Sequence, residues 1–301
     1  MRKLLLLLLP CLCAHALVIA RLRGQLGNQM FQVAAAVALA QENHCKVCFP
    51  DFGRDIDWGE TRIDKNFGTL FHRIPNRLSS PNLHPSSYYI QKDGGAYEPI
   101  PYRPYREIIG YFQSEKFFKK YETLIRKIYK MPPEIEQTLQ KRYSDLLAHP
   151  KTVGLHVRTG YEDYLRTHHD PKFYAAFLPP DLNFYTQAID KFDADSLFIV
   201  CSDHIGWCKK HFQQIPRNFI FIESDDYFLD LYLLTLCKDI IIANSTFGWW
   251  AAYLNENPHK RVICRNPFVG FIAFHSPPDI LCDTWEKIDM PSTSPPLPIY
   301  E

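Results

Sequence analysis

Short, wholly apolar runs that alternate with helical stretches predict an α/β protein made of two doubly wound, Rossmann-like halves. Two observations carry the prediction. Asp239-Ile240-Ile241-Ile242-Ala243 and Thr152-Val153-Gly154-Leu155 are, after their first residue, apolar without alternation, as parallel strands covered on both faces require. Each such run also ends in small or polar residues before a helix begins, and this strand-to-helix joint recurs along the chain.

The first strand is Ala16–Ala20, and Val33–Ala40 is a helix of strong formers. Between them, Gly24 and Gly27 permit a tight turn and a close backbone approach. Their spacing is not the G-x-G-x-x-G of a dinucleotide site, which disfavours a dehydrogenase. Lys46–Phe49 is a second strand, followed by a Pro- and Tyr-rich stretch over about 75–104 read as loop, and helices over about 115–130 and 134–148. A boundary is expected near His149-Pro150, with a first domain over 17–149 and a second over 150–289. The second half is read as strands Val153–Arg158, Leu197–Cys201, Phe219–Ile222, Ile240–Ala243 and Val262–Cys264, with helices Phe184–Phe192, Ile205–Phe212, Tyr227–Cys237 and Phe247–Leu254 between them. The Pro-rich residues 290–301 are expected to be a flexible tail.

Ligands of open α/β sheets bind at the carboxyl ends of the strands, so the joints are candidate sites. Asn244-Ser245-Thr246-Phe247 stands between a buried strand and a buried helix; its hydroxyls and amides suit either a simple N-cap or a phosphate. His156 and Arg158 lie two apart at the end of an apolar strand and so face one way. Arg forks onto phosphate oxygens and keeps its charge.

Four motifs in order, Gly24–Gln32, Gly110-Tyr111-Phe112-Gln113, His156-Val157-Arg158 and Ile242–Leu254, resemble the α-1,2-fucosyltransferases of glycosyltransferase family 11. Asn257-Pro258-His259-Lys260 and Asp279–Trp285 extend the resemblance, which runs from about Leu17 to Asp289. It implies a GT-B fold, with two Rossmann-like domains facing a donor cleft. It also implies GDP-fucose as donor, a galactose-containing glycan acceptor, inversion at the fucose carbon, and no metal or other cofactor. Carried over by position, Arg158 would neutralise the pyrophosphate and His156 would line the nucleotide pocket. Ser245, Thr246 and Phe247, beside Asn244, would cradle a phosphate, Asp203 would join the donor site, and Gly27 with Asn28 would approach from the opposite domain. An inverting transfer needs a base for the acceptor proton; Glu162, Asp163 and Asp170 are the candidates, with Asp163 preferred because a gapped match sets it on the family's Asp.

One departure stands out. Where the family reads His-x-Arg-Arg-Gly-Asp-Tyr, this chain has Thr159 in place of the second Arg, and its Asp-Tyr arrives two residues late at Asp163-Tyr164. Thr159 brings no positive charge, so Thr159→Arg is expected to strengthen donor binding if the charge has simply been lost. The departure leaves three alternatives open: weak activity, a different donor, or another cation such as Arg166 in its place. A degenerate member that binds nucleotide or glycan without transfer is the competing reading.

A net charge of +1 without a long basic block argues against a nucleic-acid partner. Met1-Arg2-Lys3, the apolar Leu4–Leu9 run and Ala14-His15-Ala16 have the pattern of a secretory leader over 1–16, or a marginal hydrophobic anchor. Cleavage after Ala16 would leave Leu17–Ala20 for the first strand. A secretory or membrane-associated location is expected, with a cytoplasmic one as the alternative, because an odd seven cysteines beyond the leader do not decide the compartment. Cys45 and Cys48 form half a zinc motif with no second half; Cys201, Cys237 and Cys264 read as buried hydrophobes. Asp193-Ala194-Asp195 and Asp55-Ile56-Asp57 could suggest a metal-dependent transferase, but neither follows a strand's carboxyl end, and both are read as solvated turns.

Overall fold

The structure is a computed structural model that describes residues 16–52, 57–58, 61–80, 82–92, 95–159, 182–224, 226–242, 244–268 and 277–291. The chain begins β1 (Leu17–Ala20), α1 (Leu26–Glu42), β2 (Lys46–Cys48) and a two-stranded antiparallel pair, β3 (Asp57–Trp58) with β4 (Thr61–Arg62). It continues through α2 (Ile63–Thr69), β5 (Arg77–Leu78), β6 (Ser87–Ile90), β7 (Arg106–Ile109), α3 (Glu122–Ile128) and α4 (Pro133–Leu147). The second half follows as β8 (Thr152–Val157), α5 (Leu182–Ile189), β9 (Leu197–Ser202), α6 (Ile205–Phe212) and β10 (Asn218–Phe221). It closes with α7 (Tyr227–Leu236), β11 (Asp239–Ile242), α8 (Thr246–Leu254), β12 (Val262–Asn266) and β13 (Glu286–Asp289).

Two all-parallel sheets result, as the apolar runs predict. The first has the order β5-β2-β1-β7-β6 and the second β10-β9-β8-β11-β12-β13. Strand order reverses between β1 and β7 in one sheet and between β8 and β11 in the other, and a reversal opens a crevice beyond the carboxyl ends. The joints singled out in the sequence therefore fall at the two crevices.

Four differences from the sequence reading have physical causes. The stretch over 75–104 contains β5 and β6, two short strands at or next to a sheet edge, and edge positions tolerate the nearby prolines. The helix expected over 115–130 is instead two 3-10 turns, Glu115–Phe117 and Lys119–Tyr121, followed by α3; Phe118, buried in the core, takes a non-helical backbone between the turns. Helix α1 starts at Leu26 rather than Val33, because tertiary contacts override the weak propensity of Gly27 and Asn28. Strand β13 pairs with β12 before the tail begins.

Helix α8 is buried along its length from Gly248. Its Trp249 and Trp250 meet Phe31 of α1 at 4.5 and 4.9 Å, and Phe118 stacks on Trp250 at 5.4 Å. The indole N–H groups are satisfied: Trp249 Nε1 donates to the Ile280 carbonyl at 2.6 Å, and Trp250 Nε1 to the Gly27 carbonyl at 3.0 Å. One aromatic block is thus shared by both halves. Removing a ring of this kind costs about 3–5 kcal/mol. A second bridge is polar and runs from Gln29 through Asn66 to the Tyr227 hydroxyl, with 2.7 Å at each step. The seven cysteines from Cys45 to Cys282 are buried, Cys201, Cys237 and Cys264 among them. Among the described residues no helix is long and apolar enough to cross a membrane.

Gly27 sets how closely the halves meet. A Cβ there would lie 2.5 Å from Thr246 Oγ1, 2.6 Å from the Thr246 carbonyl carbon and 2.7 Å from the Phe247 nitrogen. Two of these are backbone atoms and cannot swing away. Gly27→Ala is expected to force α1 and α8 apart and to destabilise the fold by about 1–3 kcal/mol, the usual cost of overpacking; thermal melting checks it, and an unchanged Tm would contradict the close contact.

Candidate active site

Three neighbouring strands of the second sheet deliver polar groups to one place. From β8 come His156, Arg158 and Thr159; from β9 comes Asp203; from β11 come Asn244, Ser245, Thr246 and Phe247. The first half faces them with Gln25, Gly27 and Asn28 at the start of α1, and with Gln113 beyond β7.

Two helix starts converge here. Thr246 Oγ1 donates to Asn28 Oδ1 at 3.1 Å, and Gln113 Nε2 donates to the same oxygen at 2.8 Å. Gln25 and Ser245 hold the N-cap positions of α1 and α8, yet neither side chain makes a capping hydrogen bond, and neither first turn carries an acid. The uncapped first-turn N–H groups and the positive ends of two helix dipoles give this place the electrostatic character that favours an anion. The simple-cap alternative for Ser245 therefore lacks its hydrogen bond.

Arg158 spans the crevice. Its Nη1 pairs with Asp203 Oδ2 at 3.3 Å, and its Nη2 donates to Gln25 Oε1 of the other half at 3.1 Å. Thr159 donates twice to Asp203 Oδ1, from its backbone nitrogen at 2.9 Å and from its hydroxyl at 3.1 Å. Asp203 is thus a clamp that orients Arg158 and pins the turn after β8. Gln25 and Gln113 have no role in the sequence reading. The Gln25 amide acts across the cleft on Arg158, while the Gln113 amide holds Asn28 within the first half; only a polar residue at a glycine-containing strand end hints at either.

His156 lies under α8, its ring 5.1 Å from that of Phe247, and a Cβ on Gly248 would come within 2.8 Å of its Nδ1. That nitrogen is buried with no hydrogen-bond partner among the described residues. Burial lowers the imidazole pKa from 6.5 to about 4; the Asp203 charge opposes the shift and Arg158 adds to it. The ring is neutral at physiological pH.

Glu162, Asp163, Arg166 and Asp170 lie outside the described residues. Asp193 and Asp195 sit at the amino end of β9, where Lys151 pairs with them at 2.7 and 2.8 Å, on the far side of the sheet from the crevice. Of the other acidic pair, Asp55 is outside the described residues and Asp57 begins β3. Among the described residues no three His, Cys, Asp or Glu side chains are grouped as a metal would need.

The whole-chain pattern of these joints decides the family: the model of glycosyl transferase family 11 matches residues 14–285. The chain belongs to glycosyl transferase family 11. Among its relatives, an Escherichia coli α-1,2-colitosyltransferase is 28% identical over 281 residues, covering 84% of this chain and 92% of that protein. A galactoside α-(1,2)-fucosyltransferase 2 of Pongo pygmaeus is 30% identical over 242 residues, covering 77% of this chain and 67% of that one. The crystal structure of the fucosyltransferase NodZ from Bradyrhizobium aligns with a TM-score of 0.52 at 15% identity, over 79% of this chain and 92% of that one. The glycosyltransferase has the GT-B architecture, two parallel-sheet α/β domains.

Two outcomes are expected of this site. The unfolded chain protonates His156 near 6.5 and the folded chain near 4. Between those values the unfolded state binds more protons, so folding stability falls as pH falls through that window, by up to about 3 kcal/mol. His156→Gln should flatten the fall in Tm over the same window; an unchanged slope would remove His156 as its cause. Thr159 is 1% exposed, with its hydroxyl spent on Asp203. Contrary to the expectation from charge alone, Thr159→Arg should overfill this position, cost about 1–3 kcal/mol of stability and weaken GDP binding. Calorimetric titration with GDP reads it, and tighter binding would restore the lost-charge reading.

Proposed function

We propose that this glycosyltransferase transfers L-fucose from GDP-fucose to O2 of a galactose residue in a glycan, with inversion and without a metal ion. The observation that carries the reading is the meeting of two uncapped helix starts, at Gln25–Asn28 and Ser245–Phe247, beside the Arg158 guanidinium. A departing nucleoside diphosphate develops negative charge, and preorganised N–H groups with a fork-shaped cation stabilise such charge without reorganising. Fucose as donor sugar and the α-1,2 linkage to galactose are supported by the names of relatives such as the Pongo pygmaeus enzyme. In this reading Arg158 and the two helix starts hold the diphosphate, His156 and Phe247 line the nucleotide pocket, and Asn244 and Asp203 complete the donor site. Asp163 or Glu162 takes the acceptor proton as oxygen attacks the anomeric carbon from the face opposite GDP.

Thr159 favours a second reading, a protein that binds the nucleotide without turnover, because it adds no charge beside Arg158. Incubation with GDP-fucose and a galactoside array separates the two. Transfer to a galactose hydroxyl supports the enzyme; GDP binding with neither transfer nor donor hydrolysis supports the binder. A colitose nucleotide in parallel tests the donor sugar.

Arg158→Ala is expected to lower transfer by at least about 100-fold, the scale of losing one preorganised charge-stabilising donor, without loss of fold. Arg158→Lys should recover little, since a point charge cannot reproduce the fork. Full activity in either variant would overturn the assignment. Transfer should persist in excess EDTA; complete inactivation that Mn²⁺ reverses would require a metal and remove the cation-free account of the leaving group.

A further inference from the structure

The Gly110–Gln113 turn has features that donor binding leaves unused. Phe112 has φ +52°, a left-handed backbone that a bulky residue rarely takes. Its surroundings hold it there. Gln91 Oε1 accepts from the backbone nitrogens of Tyr111 at 3.1 Å and Phe112 at 2.9 Å, and the Ser114 nitrogen donates to the Phe112 carbonyl at 2.8 Å. The buried Phe112 ring meets Phe117 edge-on at 5.3 Å. Gly110 has no room for a side chain, because a Cβ would lie 2.5 Å from Gln91 Cβ. Strain held by this many contacts marks a place where side-chain placement matters. Its product is a divergence: Gln113 reaches Asn28 in the cleft, while Tyr111, two residues earlier, is 47% exposed.

Tyr111 does not stand alone. The most exposed large hydrophobic side chains among the described residues are Ile90 at 67%, Tyr88 at 59% and Tyr111. Tyr88 and Ile90 are two apart on the edge strand β6 and so share a face. Ile90 pairs in register with Ile109 of β7, and Tyr111 follows Ile109 by two residues. Edge strands are ordinarily blunted by charge; this one displays an aromatic and an aliphatic side chain and leads through Gln91 directly to the Tyr111 turn, and neighbouring exposed apolar side chains of this kind mark a binding surface.

We propose that Tyr111 is the stacking platform for the acceptor sugar, and that Tyr88 and Ile90 extend it to the next sugar of the glycan. This inference rests on the glycosyl-transfer reading above. One face of a galactopyranose presents C–H groups and little else, and an exposed aromatic ring covers that face while leaving the hydroxyls free at the rim. A nucleoside diphosphate would in addition demand cations or backbone N–H donors for its phosphates, which these three side chains do not supply.

The test is steady-state transfer from GDP-fucose to methyl β-galactoside and to an oligosaccharide ending in β-galactose. Tyr111→Ala should raise the KM of both acceptors by about tenfold or more, the scale of one lost aromatic contact, with the donor KM within about twofold of the original. Tyr111→Phe, which keeps the ring, should restore the acceptor KM, and Tyr111→Gln repeats the loss should the alanine variant fold poorly. Tyr88→Ser with Ile90→Ser should raise the oligosaccharide KM more than that of the methyl galactoside. An unchanged acceptor KM in Tyr111→Ala, or an equal rise in the donor KM, overturns the platform while leaving the transfer reading intact. If the unaltered protein transfers to neither acceptor, the oligosaccharide is titrated onto the GDP-loaded protein. Binding that Tyr111→Ala abolishes upholds the platform without the transfer reading, and absence of binding overturns both.

Discussion

The contact between the starts of α1 and α8 is the constraint on which the rest depends. It brings the positive ends of two helix dipoles together, and like partial charges in contact repel. Other interactions offset that cost. The Trp250 indole donates to the Gly27 carbonyl, Asn28 accepts from both Thr246 and Gln113, and Phe31 packs against both tryptophans behind the contact. The aromatic block therefore stands behind the region where the positive ends of the two helices meet. An anion at that region would relieve the repulsion while bonding to N–H groups from both halves, which couples ligand binding to the association of the halves.

Much of this organisation was legible in the sequence, and the exceptions have a common cause. In the second half every expected strand and helix appears within a few residues of its predicted ends, because buried parallel strands leave unbroken apolar runs. In the first half, β5 has two residues and β6 sits at the sheet edge, so neither carries a long apolar signature. The strand ends that carry Arg158 and Ser245–Phe247 were readable from their joints. The partnership of Arg158 with Gln25, 133 residues away, was not, nor was that of Thr246 with Asn28 across 218 residues. Local pattern locates the end of a strand; only the folded chain shows what stands opposite it.

Thr159 has a structural partner that a count of cations leaves out. Counting cations, its presence is a deficit. In the fold it is one of the donors to Asp203, whose other oxygen pairs with Arg158. The clamp exchanges a second mobile charge for one guanidinium held at a defined angle, and a preorganised charge loses less to reorganisation than a free one.

The same logic explains why His156 is neutral. A protonated imidazole beneath α8 would add to the positive potential of the helix start and of Arg158, in a place from which water is excluded. Burial and Arg158 both act against that charge, and Asp203 is too engaged with Arg158 and Thr159 to reverse the balance. Positive potential is therefore concentrated at the crevice floor, where the helix starts and Arg158 converge, while the aromatic layer of His156 and Phe247 beside it stays uncharged. A ligand that is anionic at one end and planar and weakly polar at the other matches both surfaces at once, whereas inorganic phosphate would engage only the first.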